Sequence, residues 1–346
     1  MKFRRLSIAA PMENFLVRLF VLGLAVSATS CTHNSTSWHD PSKHRLQFVT
    51  VEDDIRLEVL DWGGSGRPVV LLAGSGNTAH VFDGFAEKLT GLNHVYGITR
   101  RGYGASSRPT SGFSAQRLAD DVLNVLDSLH LAAPVLVGHS LGGQELTALA
   151  SSHPNRIVGL VYMDSAADPT FNWLPYQELR KKLPAAMNVT VPPAAAYKSF
   201  QAYRDWQESN RGIVFPESEL RNCFAAQPDG SMGSYGTPAS VGDAIFAGML
   251  KPDYSRIRVP VLAFYALPAP LKNQLQQYKP QNATEREAIE QVYAADVSFS
   301  RRSSRSLQGS LPGARIIELP EANHYVFLSN ETDVLRELRA FLAGFH

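Results

Sequence analysis

Chemistry is first visible at Ser140, in the run Gly138-His139-Ser140-Leu141-Gly142-Gly143. The apolar stretch from Pro134 to Val137 reads as a strand, and the alanine- and leucine-rich segment after Gly143 reads as a helix. Small residues at Gly138 and Gly142 let that strand and helix pack closely, while the serine between them projects its hydroxyl from the sheet. A serine hydroxyl is a weak nucleophile at neutral pH. Acyl-transfer chemistry at Ser140 therefore requires a base within hydrogen-bond reach and an acid that orients the base. The Gly-x-Ser-x-Gly pattern alone is a weak signal. The preceding strand is what makes it a nucleophile elbow instead of a glycine-rich turn with an idle serine.

The elements that must position this serine alternate between strand and helix. Leu46 to Val51 and Ile55 to Trp62 read as a hairpin around Asp53-Asp54, closed by Gly63-Gly64-Ser65-Gly66. Pro68 to Leu72 is a short apolar run suited to a strand buried on both faces, and it empties into Ala73-Gly74-Ser75-Gly76-Asn77. A helix from about Ala79 to Thr90, a strand from His94 to Thr99 and an amphipathic helix from about Ser114 to Leu129 precede the elbow strand; a strand from Ile157 to Met163 follows the elbow helix. This alternation specifies an α/β protein with a parallel sheet covered by helices on both faces. From about Ala167 to Arg258 short helical pieces broken by prolines and aromatics replace the pattern, as expected of an inserted cap. Val259 to Tyr265 restores a strand. A helix around Ala283 to Asp296, a strand from Ala314 to Leu319 and a helix from Glu331 to Leu342 complete the chain.

With 346 residues and 44% hydrophobic content, the chain can bury a large core. A formal charge of +1 gives no electrostatic reason for nucleic acid as a partner, and a small molecule is the expected one. Cys31 and Cys223 form neither a disulfide framework nor a zinc spacing. Gly74-x-Gly76 lacks the lysine and further glycines of a phosphate loop. At the amino terminus Lys2, Arg4, Arg5 and Arg18 precede the apolar run Leu19 to Val26, which is too short to span a bilayer and reads as a secretory signal. Ala28-Thr29-Ser30-Cys31 resembles a bacterial lipoprotein box. Lipidation at Cys31 and plain cleavage after Ala28 both remain open, as does a start at Met12. The expected location is exported: periplasmic, secreted or lipid-anchored to a bacterial membrane. The expected organisation is a signal peptide over 1–31, a tether over 32–45, an α/β core over 46–166 and 259–346, and the cap over 167–258. The histidine-containing segment from Thr32 to Lys43 reads as flexible tether, not as a metal tract.

His139-Ser140-Leu141-Gly142-Gly143 after a β-type run resembles the α/β-hydrolase superfamily, and the resemblance extends from about Leu46 to His346. It implies the α/β-hydrolase fold, a mostly parallel doubly wound sheet with an inserted mainly helical cap. It also implies the chain order Ser, then Asp or Glu, then His. Beyond the cap stand His324 and the terminal His346; Glu321-Ala-Asn-His324-Tyr325, just after the last strand, resembles the family's histidine loop. The family's usual acid position is empty, because the loop Ala266 to Asn273 carries none and no Asp or Glu occurs between Asp253 and Glu285. Some members, certain haloalkane dehalogenases among them, take the acid from the strand after the elbow. Here that strand ends at Asp164, with Asp168 in reserve. By the same analogy the oxyanion hole is made by the N–H groups of Leu141 and Ser75, with Gly76 the alternative to Ser75 because Ala73-Gly74 stands in place of the family's His-Gly pair. Arg101-Gly-Tyr-Gly-Ala-Ser106 resembles a turn of epoxide hydrolases and haloalkane dehalogenases. Those enzymes use an aspartate nucleophile, so the turn supports the fold more than the reaction. His139, His80 and His153 read as packing residues, His80 also as a candidate for the pocket wall. The resulting expectation is an exported, carboxylesterase-like serine hydrolase: Ser140 attacks, His324 moves the proton, Asp164 orients His324, and no metal or cofactor takes part. An acyltransferase on the same triad stays open. So does a non-catalytic ligand-binding protein on a hydrolase scaffold, which the empty acid position hints at.

Overall fold

The computed structural model describes residues 38–184, 187 and 191–345. The expected signal peptide, Cys31, residues 32–37 of the tether and His346 lie outside these described residues.

Runs of aliphatic residues build one eight-stranded sheet. Its strands are β1 (Arg45–Glu52), β2 (Ile55–Gly63), β3 (Arg67–Leu72), β4 (Asn93–Ile98), β5 (Val135–His139), β6 (Gly159–Met163), β9 (Val261–Ala266) and β10 (Arg315–Leu319); β7 (Phe224–Ala226) and β8 (Met232–Tyr235) form a separate hairpin. The spatial order is β1-β2-β4-β3-β5-β6-β9-β10. β2 runs antiparallel to β1 and to β4, and all other neighbours are parallel. In β3, Val69 and Leu71 enter one core and Val70 and Leu72 the other, and Val135, Leu136 and Val137 of β5 divide in the same way. Burial on both faces explains why these strands are continuously apolar instead of alternating with polar residues.

The helices are α1 (Asp83–Ala86), α2 (Ala115–Ser128), α3 (Gly142–Ser152), α4 (Leu174–Arg180), α5 (Phe200–Arg211), α6 (Glu217–Cys223), α7 (Ala239–Ala247), α8 (Leu271–Tyr278), α9 (Ala283–Ser310), α10 (Val326–Ser329) and α11 (Glu331–Leu342). α2 and α3 cover one face through Val122, Val125, Leu126, Leu146 and Leu149. α11 covers the other with Val334 and Leu338, beside Phe82 and Phe85. Ser114 caps α2 by accepting a hydrogen bond from the Arg117 amide, so the periodic pattern and the cap agree on where the helix begins.

Four elements differ from the sequence expectation. The segment from Ala79 to Thr90 is not one helix: a 3₁₀ turn (Ala79–Phe82), α1 and a second 3₁₀ turn (Glu87–Leu89) follow one another around Gly84, a poor helix former. The loop after β9 contains α8. α9 continues 14 residues past Asp296 to Ser310, because its buried stripe of Ala288, Ile289 and Val292 is extended by Asp296, Ser300, Ser303, Ser304 and Leu307. The excursion between β6 and β9 carries the β7–β8 hairpin as well as helices α4 to α7.

That excursion is fastened to the sheet by polar groups. Glu219 of α6 is fully buried; it accepts hydrogen bonds from Asn77 Nδ2 (2.8 Å), the Thr78 amide (3.2 Å) and the Thr78 hydroxyl. Burial raises its carboxyl above the usual carboxylate range, opposed by these donors. The Tyr235 hydroxyl donates to the Gly76 carbonyl (2.8 Å) and the Thr237 hydroxyl to the Gly102 carbonyl (3.1 Å). The cap thus grips the loops that leave β3 and β4, which border the elbow.

Candidate active site

Ser140 stands where β5 turns into α3, with φ of 51°, a conformation that non-glycine residues adopt at a cost and that over-determined turns retain. Two neighbouring positions must be glycine for this turn to close. A Cβ on Gly142 would lie 2.5 Å from the Leu72 carbonyl oxygen, and one on Gly74 would lie 3.0 Å from Ser140 Cβ and 2.8 Å from His139 Nδ1. The loop after β3 therefore rests directly against the serine.

Asp164 begins the turn after β6, also at positive φ (49°). Its amide donates to the Phe264 carbonyl of the neighbouring β9 (2.9 Å), its Oδ1 accepts from the Ala266 amide (3.0 Å), and its Oδ2 lies 2.7 Å from His324 Nδ1. Ala266 occupies the strand end where the acid is usually found in the family resembled. Because β6 and β9 are adjacent, the carboxylate crosses from one strand end to the other and is held there by a backbone donor. Asp168, the reserve acid, does not meet His324; its Oδ1 accepts from the Thr170 amide (2.9 Å) and hydroxyl (2.6 Å) in a local turn.

The histidine loop is tied to the same strand ends. The Leu267 amide donates to Leu319 O (2.9 Å) and the Ala322 amide to Leu267 O (3.1 Å). His139, read from sequence as elbow packing, does more than pack. Its Nε2 faces the His324 carbonyl at 3.1 Å, and the two rings lie 4.6 Å apart. Burial, with His324 nearby, pushes its imidazole well below the usual histidine range, so it is neutral and donates from Nε2. The residue preceding the serine thereby holds the backbone of the histidine. His153 contacts the Ser152 hydroxyl at the end of α3 (2.9 Å), and His80 does not line the cleft.

Arg100 links the remaining parts. Buried beneath the loop after β3, it donates to the Ala73 carbonyl (2.7 Å) and the Gly74 carbonyl (3.3 Å), and its Nε pairs with Glu145 of α3. One guanidinium thus ties the loop carrying Ser75 to helix α3, which Leu141 immediately precedes. Arg101 plays a different part: it forks onto Asp121 of α2 (2.5 and 2.6 Å) and reaches Glu52 (3.0 Å), a use of the Arg-Gly-Tyr-Gly-Ala-Ser turn that serves the scaffold.

Ser140, Asp164 and His324 open on one cleft of about 680 Å³ of empty space continuous with solvent. Leu141, Ala167, Pro169, Trp173 and Phe299 supply apolar walls, and Gln144, Asp296, Ser300 and Ser303 polar ones. Ser75 is half-buried at the turn behind and is not among the lining residues. Asp296 is a site residue that sequence reasoning missed. It is buried, accepts a hydrogen bond from the Tyr176 hydroxyl at Oδ1 (2.7 Å), and has no hydrogen-bond partner at Oδ2. Burial lifts its carboxyl to about 7, against the lowering effects of Tyr176 and Arg180. Its spacing to Phe299, Ser300 and Ser303 on one helical face was the available signal, obscured because the stripe turns polar at that point.

A sequence profile described as the Alpha/beta hydrolase family matches residues 69–338. The chain is 28% identical over 293 residues to a pimeloyl-[acyl-carrier protein] methyl ester esterase of Chromobacterium violaceum, covering 81% of this chain and 95% of that protein. It is 31% identical over 127 residues to a bifunctional esterase/perhydrolase of Acinetobacter calcoaceticus, covering 36% and 46%. In four of the curated relatives the match spans between 36% and 48% of their own length, so the chain spans half their length or less. Among solved structures, E-2-(acetamidomethylene)succinate hydrolase superposes with a TM-score of 0.61 at 19% identity over 87% of this chain and 99% of that one, a likeness of fold. Because the family profile runs from within β3 to within α11, and so takes in the elbow, both strand ends and the histidine loop, the chain belongs to the alpha/beta hydrolase family.

Proposed function

We propose that this protein is an exported serine hydrolase that cleaves a carboxylic ester or related acyl bond through an acyl-enzyme on Ser140. The observation that carries the reading is the 2.7 Å contact between Asp164 Oδ2 and His324 Nδ1 at the cleft that Ser140 lines. An Nδ1–H held by a carboxylate leaves Nε2 as the base, free to take the serine proton. Ser140 Oγ then attacks the carbonyl, and the oxyanion that develops is met by the N–H of Leu141, which lines the cleft, and by an N–H of the loop after β3, that of Ser75 or of Gly76. His324 passes the proton to the departing alcohol, and a water activated by the same Nε2 releases the acid. The empty acid position after β9 favoured a non-catalytic scaffold. An acid that reaches the histidine from the adjacent strand supports catalysis instead.

The cleft walls favour a substrate whose acyl or alcohol portion is apolar enough to meet Trp173 and Phe299 and carries a polar group toward Asp296 and Ser300. Relatives named as ester hydrolases support the bond type. Export rests on the basic residues and apolar run before Val26, with lipidation at Cys31 and plain cleavage as its two forms. The reaction is tested by pre-steady-state hydrolysis of 4-nitrophenyl acetate and butyrate. The expected result is a burst of about one nitrophenolate per chain, absent in Ser140→Ala. A folded protein inert toward these esters and toward thioester and lactone substrates contradicts the proposal.

A further inference from the structure

A second group of chemistry-bearing side chains lies outside the cleft. Asp40 and His44 precede β1, whereas His80 and Asp83 follow β3, so no metal spacing is visible along the chain. The fold nevertheless gathers one donor atom from each within 4.8 Å of one another. His80 Nδ1 lies 3.3 Å from Asp83 Oδ2 and 4.0 Å from Asp40 Oδ2, and His44 Nε2 lies 3.8 Å from Asp40 Oδ2. Four ligands at about 2.0–2.1 Å from a tetrahedral ion stand roughly 3.3 Å from one another. The His80–Asp83 pair already has that separation, whereas the wider pairs, which reach up to 4.8 Å, must draw in by as much as about 1.5 Å to enclose an ion.

The other ring nitrogens are also provided for. His80 Nε2 is buried without a hydrogen-bond partner and lies 3.5 Å from Glu58 Oε1, which is likewise buried and unpartnered. His44 Nδ1 lies 2.8 Å from Asp83 Oδ1, which also accepts from Trp62 Nε1 (3.1 Å). Each imidazole thus turns one nitrogen toward the common centre and the other toward a carboxylate, the outer arrangement that orients metal-binding histidines. Three carboxylates meet two imidazoles here, and His80, Asp83 and Glu58 are almost wholly buried. A divalent cation offsets that surplus of negative charge.

We propose that Asp40, His44, His80 and Asp83 bind one zinc-type divalent cation in a closed, structural site. Two imidazole nitrogens and two carboxylate oxygens suit zinc, and too few oxygens are present for calcium. The ion would pin the segment leading into β1 onto the turn that follows the loop of Gly74 and Ser75. The Ser218 hydroxyl of α6 donates to Asp83, so the same site also meets the cap. This inference is independent of the hydrolytic reading.

The test uses the purified full chain, stripped with a chelator and then titrated with zinc chloride. Expected are one zinc retained per chain after desalting and a rise in Tm of about 4 °C at a hundredfold excess over Kd, with no such rise for calcium chloride. Cobalt chloride is expected to give the intense visible absorption of a four-coordinate ion. Asp40→Asn is the discriminating variant. Its side chain is partly exposed and keeps an oxygen for the Ser42 amide, so folding is preserved while zinc affinity falls at least about tenfold. His44→Gln is expected to weaken binding at least as much. Absence of retained zinc and of any Tm shift overturns the proposal in favour of a proton-held network with His80 charged between Asp83 and Glu58. Equal zinc binding by parent and both variants overturns it in favour of other residues.

Discussion

Asp164→Asn is expected to lower kcat on an ester substrate by about 10³–10⁴-fold with little change in KM. The amide keeps the shape of the side chain, and its oxygen can still accept from the Ala266 amide, as Oδ1 does at 3.0 Å. What it loses is the negative oxygen 2.7 Å from His324 Nδ1. A carboxamide NH₂ at that place favours the tautomer whose lone pair is on Nδ1, and leaves Nε2 protonated and unable to accept the serine proton. The imidazolium formed in the transition state also loses its partner, so the effect falls on the chemical step. Asp168→Asn, whose carboxylate is spent on the Thr170 turn, is expected to stay within about threefold of the parent. Steady-state kinetics of the two variants side by side checks this. An Asp164→Asn enzyme within tenfold of the parent contradicts the assignment.

Asp296 is expected to make stability depend on pH in the direction opposite to an ion-paired carboxylate. Its folded carboxyl keeps its proton up to about 7, whereas the ordinary value is 3.8, so between these values folding requires uptake of a proton. The stability contribution is intact below the unfolded value and declines as pH rises through the folded one, by on the order of 4 kcal/mol in total. Asp296→Asn removes the penalty while keeping an oxygen for the Tyr176 hydroxyl. Denaturant unfolding is expected to show the variant more stable than the parent at pH 8 by about 1–4 kcal/mol and no more stable at pH 3, below the unfolded value. Equal stabilities at both values would show that the group ionises freely in the folded protein.

Much of this was legible from local signals. The elbow needed only an apolar strand, small residues at Gly138 and Gly142, and a helix; α2 was bounded by Ser114, and α11 matched its periodicity at both ends. The assignments of His324 and Asp164 were legible only through resemblance, because nothing in the spacing of residues 160 positions apart states that they touch. What escaped depends on packing between distant segments. α9 was cut short at Asp296 because its buried stripe changes from aliphatic to small and polar, which lowers the apolar signal without ending the helix. The β7–β8 hairpin was signalled by Pro228-Asp229-Gly230, with Gly230 at φ of 83°, yet strands of three and four residues carry too few positions to show alternation. His80 is a polar residue on a buried turn, and only the fold reveals the three carboxylates around it.

The measurement that bears most directly on the central claim is covalent labelling of the purified protein by a fluorophosphonate probe, with the modified residue mapped by peptide mass spectrometry. An activated serine at the elbow predicts stoichiometric labelling on Ser140. Labelling should be abolished in Ser140→Ala and slowed by several orders of magnitude in His324→Ala. A folded parent that takes up no probe, or label that maps to another serine, contradicts the account.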